Sequence, residues 1–483
     1  MTTTSILASR LRLEFSERKL LLRLGDLTLI GFGVVVAVAF WSRFAQRPFD
    51  SSLLREQLPW VVAIGTGWAL CLAVLDMYDL KRAVNVRWCL QRIGLSAVVI
   101  GLFYLIYFFI NVSPLAVANF DPSPGTTPLR LAPAASVLAI AGLLALWRTG
   151  YATVLGSAHA RRRVLVLGAG AAGRTITETL RAHPHFEIVG FVDDDPRKHS
   201  LRIYDIPVLG GHQRMLDYIE SRHIDEIIVA ISAQVSGSLF QAIMDCHERG
   251  VTITPMPLLY EQLTGKVAVQ HIGSQWYVAL PFESHPCGTL SRLSKRLLDL
   301  GCGAILFVLF LATAPLIALA IKLDSPGPIF YRQERMGMHG KTFTVTKYRS
   351  MVQNAECDGQ AKWAAKDDPR VTRVGRILRK TRLDELPQVI NVLKGEMSMV
   401  GPRPERPQFI AQLHKQIPFY RTRLAGKPGL TGWAQVNYGY GATVEDALIK
   451  LQYDLYYLKH QSIWFDLKIL LKTFAVVFKM RGQ

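Results

Sequence analysis

The sequence predicts a membrane protein in three parts: a four-helix transmembrane bundle, an α/β domain with a parallel sheet, and a mostly helical C-terminal domain that carries the chemistry. Three observations predict it. Four apolar segments crowd the first third of the 483 residues, a strand–glycine–helix pattern opens the middle, and ordered basic and acidic motifs fill the last third. Half of the residues are hydrophobic and the formal net charge is +19, a balance that favours acidic lipid headgroups or phosphate-bearing substrates. No nucleic-acid-binding signature accompanies that charge, so the expected partners do not include nucleic acid. The six cysteines form no CxxC pair and no zinc spacing, which reads as reduced thiols in a chain facing the cytosol.

The apolar segments lie near 24–41, 60–77, 93–112 and 131–147, each about the ~20 residues a bilayer core requires. Arg10, Arg12, Arg18 and Lys19 precede the first, but no short apolar core with a small-residue cleavage site follows them. The first segment is therefore expected to be a true span. Lys81, Arg82, Arg87 and Arg92 lie between the second and third segments, and Arg148 and Arg161 to Arg163 follow the fourth, whereas the third and fourth are separated by Arg130 alone. By the positive-inside rule both ends of this bundle, residues 1–155, face the cytoplasm. Arg43, Arg47 and Arg55 in the first external loop run against that trend. Asp26 and Asp76 stand near span ends and are expected at the interface.

From Arg163 the texture changes. A buried-strand run, Val164-Leu-Val-Leu167, enters Gly168-x-Gly170-x-x-Gly173 and then a helical pattern. Glycines at that spacing allow a tight turn and a pyrophosphate close to a helix N-terminus, and an acid some ~20 residues on can hold a ribose. A second strand, 187–192, ends in Asp193, Asp194 and Asp195, and further parallel strands are expected at 227–231 and 251–255. This is a Rossmann-like domain over 160–286, with Gly168, Gly170 and Gly173 as candidate cofactor-binding positions. A short-chain dehydratase or epimerase needs a Tyr-x-x-x-Lys pair for proton transfer, and the chain has none. The domain is therefore expected to regulate or dimerise, as a possible homodimer, and nucleotide binding in it stays open.

A fifth apolar run, 300–321, carries no charge and is long enough to cross a bilayer. Yet Arg292, Lys295 and Arg296 precede it and Lys322, Arg332 and Arg335 follow it, which fits poorly with opposite sides. A helix that enters and leaves by one face satisfies the charges. Pro315 is a candidate break, since proline removes a backbone hydrogen bond.

The last third, 290–483, carries seven motifs in succession. They are Asp324-Ser-Pro-Gly-Pro328, Arg332-Gln-Glu-Arg335-x-Gly337, Lys347-Tyr-Arg-Ser-Met351, Asp367-Asp-Pro-Arg370, Arg376-x-x-Arg379-Lys-Thr-Arg-Leu-Asp384-Glu385-Leu-Pro387, Gly401-Pro-Arg403-Pro404 and Lys427-Pro-Gly-Leu-Thr-Gly-Trp-Ala-Gln435. Adjacent Asp384 and Glu385 can divide two tasks at one phosphorus centre, one carboxylate attacking while the other holds a divalent cation. Arg349, Arg379 and Arg403 offer planar forks that match phosphate oxygens. Lys347, Asp368 and Pro404, in the same motifs, complete the candidate substrate site. An isolated Asp-Glu pair is weak evidence of chemistry; seven ordered motifs are specific.

Lys-Tyr-Arg-Ser-Met, Leu-Asp-Glu-Leu-Pro, Gly-Pro-Arg-Pro and Lys-Pro-Gly-Leu-Thr-Gly resemble the bacterial sugar transferase family of monotopic polyprenyl-phosphate phosphoglycosyl transferases. The match runs from about Ser291 onward, and the three-part layout resembles the family's long forms. The ending, 437–446 with Gln452-Tyr-Asp-Leu-Tyr-Tyr457, resembles its exopolysaccharide branch. Tyr348 stands where phenylalanine is commoner. The resemblance implies transfer of a hexose-1-phosphate, glucose first, from a UDP-sugar to undecaprenyl phosphate with release of UMP, at the start of exopolysaccharide, capsule or O-antigen synthesis. It implies Asp384 as nucleophile, a covalent phospho-sugar upon it, Mg²⁺ held with Glu385, and phosphate contacts from Arg379 and Arg403. It also implies a re-entrant helix broken at Ser325-Pro326, in a multi-pass protein of the bacterial inner membrane whose catalytic domain lies on the cytoplasmic face among membrane lipids. The segment 463–478 mixes apolar residues with Asp466, Lys468 and Lys472, which suits an amphipathic interfacial helix or packing on the catalytic domain. The rival readings are a membrane-bound nucleotide-sugar dehydratase or epimerase working through Gly168–Gly173, and a non-catalytic scaffold.

Overall fold

A computed structural model describes residues 15–44, 48–111, 127–155, 161–232, 235–271, 289–353, 368–439, 441 and 443–478. Arg10, Arg12, Arg47, Asp367, Cys287, Cys357, the side chain of Arg130 and the domain limits at 160 and 286 lie outside the described residues. The chain divides into two units, one of Met1–Leu167, Thr177–Ile227 and Gln241–Ile253, the other of Gly168–Ile176, Ile228–Phe240 and Thr254–Gln483.

The first unit opens with helices α1 (Phe15–Phe44), α2 (Ser51–Val74), α3 (Leu80–Ala83), α4 (Val86–Asn111) and α5 (Thr127–Leu155). Ile30, Val34, Trp68, Leu72, Ile93, Ile140 and Leu144 meet in the bundle core. Leu27, Phe32, Phe103, Leu138 and Leu146 point outward and are exposed, as helices that are apolar all round do when they face lipid. Ser16–Phe40, Val86–Ile106 and Ala134–Leu155 are long and apolar enough to cross a membrane, Leu58–Val74 is a shorter apolar helix, and the remaining candidate is Leu290–Asp324. A Cβ on Gly25 would come within 2.5 Å of the Trp147 ring, so glycine there lets α1 and α5 approach closely. Asp26 is buried between helices, 1 % exposed, and paired with Arg148, which also donates to Met77 O at 2.8 Å. A buried carboxylate needs that counter-ion.

Strands and helices then alternate: β1 (Arg162–Leu167), α6 (Ala171–Arg181), β2 (Phe186–Val192), β3 (Arg202–Ile203), β4 (Ile206–Gly210), α7 (Met215–Arg222), β5 (Glu226–Val229), α8 (Gly237–Glu248), β6 (Thr252–Pro255) and α9 (Met256–Thr264). The six-stranded sheet has the order β3-β4-β2-β1-β5-β6, with β1–β2 and β2–β4 parallel and β3–β4 antiparallel. Tyr204 and Asp205 both take positive φ between β3 and β4, as a two-residue hairpin turn requires. Gly168, at φ +108°, follows β1, and a Cβ there would meet Ala230 O at 2.7 Å. The Rossmann-like strand–turn–helix pattern is present.

The second unit continues through α10 (Thr289–Asp324), β7 (Phe330–Met336), β8 (Thr342–Tyr348), α11 (Arg373–Lys380), α12 (Val389–Lys394), β9 (Ser398–Val400), α13 (Pro407–His414), β10 (Gly429–Thr431), α14 (Trp433–Asn437), α15 (Val444–Lys459) and α16 (Ile463–Phe478). The strands β7 and β8 form an antiparallel hairpin, and β9 and β10 pair in parallel. Ile469 and Phe465 of α16 pack into the core with Val400, Trp433 and Tyr457, while Trp464 and Phe474 stay exposed. α16 both packs on the domain and shows an apolar face.

The helix α10 runs through Pro315 without interruption and ends at Asp324. Ser325-Pro326 therefore stands past the helix and does not break it in mid-course: Arg349 Nη2 donates to Ser325 O at 2.6 Å and Nη1 to Pro326 O at 2.9 Å. Both ends of α10 are tied to this one unit. Near its start, Arg296 donates to Val392 O and Leu393 O, and Asp299 accepts from Ser398 Oγ and Met399 N. At its end, Asp324 accepts from Val374 N at 2.9 Å.

Candidate active site

The Asp-Glu pair sits on a short 3₁₀ stretch, Leu383–Gln388, between α11 and α12. The local sequence explains the placement: Leu383 and Leu386 are drawn into a core with Phe310, Tyr348 and Leu378, which carries the intervening carboxylates inward. Asp384 is 8 % and Glu385 7 % exposed. Arg382, at φ +61°, turns the chain out of α11 just before them.

Two cations converge on Glu385. Lys347, on β8, donates through Nζ to Oε1 at 2.8 Å. Arg403, on the loop after β9, donates through Nη2 to Oε1 at 2.5 Å and through Nη1 to Oε2 at 3.2 Å. Arg382 stands 3.9 Å from Oε2. The neighbouring carboxylate is treated differently: among the described residues, Asp384 accepts no side-chain hydrogen bond and joins no ion pair.

The electrostatics follow from that asymmetry. Burial, and then the Glu385 charge beside it, push the Asp384 carboxyl up to about 6, against the pull of Lys347, Arg379 and Arg403. Burial would also raise Glu385, but Arg403 and Lys347 outweigh it and hold that carboxyl well below the usual range. Burial lowers the Lys347 ammonium, with Glu385 opposing. Of the two carboxylates, Glu385 is clamped and Asp384 is available.

The flanking residues divide. Arg379 donates through Nε to Ser350 Oγ at 2.9 Å, and its charge reaches Asp384. Arg349 does not present its fork to the dyad, because its terminal nitrogens are taken by Ser325 and Pro326. Asp368 is likewise turned inward on its own loop, accepting from Arg370 N at 3.0 Å and Nε at 2.8 Å. Pro404 contributes its carbonyl, which accepts from Arg335 Nη1 at 3.1 Å. Three cations and an unpaired carboxylate can hold a diphosphate and attack it.

Comparison with known proteins bears on the same segment. The bacterial sugar transferase profile matches residues 290–480, and a CoA-binding domain profile matches residues 130–257. The chain is 36% identical over 299 residues to a UDP-N-acetylgalactosamine-undecaprenyl-phosphate N-acetylgalactosaminephosphotransferase of Aeromonas hydrophila, covering 61% of this chain and 67% of that protein. It is 35% identical over 337 residues to a UDP-glucose:undecaprenyl-phosphate glucose-1-phosphate transferase of Escherichia coli, covering 69% and 70%. A Salmonella typhimurium undecaprenyl-phosphate galactose phosphotransferase matches at 30% over 345 residues, covering 67% and 69%.

The chain belongs to the bacterial sugar transferase family.

In this family member the sequence motifs named the dyad, Lys347 and Arg403, but not Arg382, which supplies a third charge near Glu385. Its signal was present: it lies inside the motif, two residues before Asp384. Nor did they name Arg423 and Asp454, buried at 4 % and 1 %. In the Rossmann-like domain, the N-terminus of α6 follows Gly170, Gly173 is buried in its first turn, and Thr175 Oγ1 bonds His271 Nε2 at 2.9 Å. The acids after β2 are all engaged: Asp193 with Lys198, Asp194 with His212, and Asp195 with Arg197. No Tyr-x-x-x-Lys pair offers proton transfer there, which leaves the dehydratase or epimerase reading without its chemistry.

Proposed function

We propose that this protein transfers a hexose-1-phosphate from a UDP-sugar to undecaprenyl phosphate, releasing UMP and giving undecaprenyl-diphospho-hexose, the first step in building a surface polysaccharide. The observation that carries the reading is the buried, unpartnered Asp384 beside a Glu385 clamped by Lys347 and Arg403. The names of the relatives support the substrate classes, and those named for glucose favour glucose.

In the proposed path an Asp384 oxygen attacks the sugar-bearing phosphorus of the UDP-sugar. The bond from that phosphorus to the bridging oxygen breaks, and UMP leaves with the electron pair. An oxygen of undecaprenyl phosphate then attacks the same phosphorus and displaces the Asp384 carboxylate. Two displacements let a soluble leaving group depart before a lipid acceptor enters. Arg403, Arg382 and Lys347 supply fixed positive charge for the phosphates, and a low-dielectric site makes that charge effective. Lys347 and Arg403 also keep Glu385 ionised without letting it compete as nucleophile.

Mg²⁺ takes one or two carboxylates with phosphate oxygens and water. The dyad fits that demand: Asp384 is unpaired, and Glu385 Oε2 is held only at 3.2 Å and beyond. Mg²⁺ held there would add charge for the diphosphate and the departing UMP.

The same reading places the catalytic domain on the cytoplasmic face of the inner membrane, with α10 entering and leaving by that face. The anchoring of both helix ends to one unit supports it. A straight helix of its 36 residues would hold those ends about 50 Å apart. Pro315, inside the helix, is the proposed bend.

The test is UMP release from a panel of UDP-sugars, with undecaprenyl phosphate and Mg²⁺, by wild type and Asp384→Asn. UMP release from one UDP-sugar by the wild type, abolished in the variant, is expected. Failure of every UDP-sugar would sink the function, and substantial turnover by Asp384→Asn would sink the mechanism.

A further inference from the structure

We infer that Arg423, braced by Asp454, is a positioning residue that aims Arg403 at the dyad; this rests on the reading of Arg403 as a phosphate-binding group. The observation is where the carbonyls of the Arg403 loop find their donors. Val400 O accepts from Lys295 Nζ at 3.1 Å and Tyr457 OH at 3.0 Å. Pro402 O accepts from Gly429 N, and Glu405 O from Met336 N, each at 2.9 Å. Pro404 O accepts from Arg335 Nη1 and Arg403 O from Arg423 Nη2, each at 3.1 Å. The loop that carries the phosphate-facing arginine is thus held carbonyl by carbonyl, with two further arginines serving the main chain rather than a ligand.

Arg423 is the member set most firmly. Its Nη2 also donates to Asp454 Oδ2 at 2.7 Å, its Nη1 donates to Tyr420 OH at 2.7 Å, and Glu405 lies 4.0 Å away. Both charges are almost wholly buried, at 4 % and 1 % exposed, so neither can turn to water without cost. A planar fork gripped on both sides has one orientation. The carbonyl it meets belongs to the residue whose side chain reaches Glu385. Pro402 and Pro404 restrict φ on either side of Arg403, so its aim depends on how this short stretch is seated. Asp454 lies in Gln452-Tyr-Asp-Leu-Tyr-Tyr457, a motif for which the proposed reaction gives no other use.

The test is a mutant cycle in the full-length protein. Arg423→Lys keeps the charge but not the fork. It is expected to lower kcat/KM for the UDP-sugar about 10- to 100-fold, as a small misplacement of a catalytic group does, with thermal stability retained. In the double variant Arg403→Lys/Arg423→Lys the loss should be no larger than in Arg403→Lys alone, because both act through one side chain. Tyr420→Phe, which removes only one grip on the fork, should show the same pattern more weakly, and it serves if Arg423→Lys does not fold. Losses that multiply in the double variant would overturn the positioning role, as would an Arg423→Lys enzyme with unchanged kcat/KM. If Arg403→Lys is itself silent while Asp384→Asn is dead, the phosphate role of Arg403 falls, and this inference with it, but the reaction stands.

Discussion

The Rossmann-like domain and the transferase domain each gather acids and bases in one short stretch, after β2 in the first and between α11 and α12 in the second, and they balance them differently. After β2, each of three successive aspartates has its own side-chain partner: Lys198, the His212 ring or Arg197. At the dyad the acids share theirs unequally. Lys347 and Arg403 both bond Glu385, Arg382 adds a third charge to it, and Asp384 has no side-chain partner among the described residues. In the Rossmann-like domain the acids are matched one by one with neighbouring side chains. Surplus cations around one carboxylate are the arrangement that the proposed phosphoryl transfer requires.

The sharpest way to break that contrast is to remove the unpaired group. Asp384→Asn should lower turnover by roughly 10³-fold or more, as loss of a nucleophile does, measured as UMP release. Unaltered turnover would erase the distinction between the two regions. Next in size, Arg403→Gln should cost on the order of 10²-fold in kcat, the scale of one lost charge-stabilising donor, with the same assay as check.

The pH dependence sharpens the same contrast. Asp384 must be ionised to attack, and its carboxyl is pushed up to about 6 by burial and by Glu385. In wild type kcat/KM should therefore be flat above pH ~6 and fall about tenfold per unit below it. Glu385→Gln removes the neighbouring negative charge. Whatever its residual rate, its acid limb should move to lower pH; an unmoved limb would mean that the two carboxylates do not interact.

A third buried pair supplies a control. Asp26 and Arg148 in the bundle bond each other and main chain. Asp26→Ala should lower stability by about 3–5 kcal/mol, the scale for one widowed buried charge, seen as a lower melting temperature in detergent. Asp26→Leu with Arg148→Met should recover most of that loss, while no paired replacement of Glu385 and Arg403 should recover activity. The smallest effect is expected in the Rossmann-like domain. Asp194→Asn should leave transfer within about twofold, since most surface changes are nearly neutral.

Much of this was legible in the residues because it is local. Strand runs, the glycine turn and the dyad motif are contiguous, and each has a short-range physical cause. What was missed is long-range. Nothing near Asp26 announces Arg148, and nothing near Arg423 announces Asp454, since a buried charge finds its partner only when helices pack. Arg349 shows the converse. Its motif suggested a phosphate fork, but the end of α10 needed capping, and Ser325 and Pro326 took its nitrogens. A motif shows which residues matter together, and less well what each one touches. Pro315 and Ser325-Pro326 show it again, since a sequence shows where prolines stand but not where a helix continues through one.

The central claim is that Asp384 carries the sugar phosphate between donor and lipid. Intact-mass and peptide spectrometry of the protein incubated with its UDP-sugar and Mg²⁺, without undecaprenyl phosphate, tests it most directly. The expected result is one hexose-phosphate added per chain, on the peptide holding Asp384, with one UMP released, and its loss when undecaprenyl phosphate is added. An adduct on another residue, or rapid full turnover with no adduct at any time, would contradict the account.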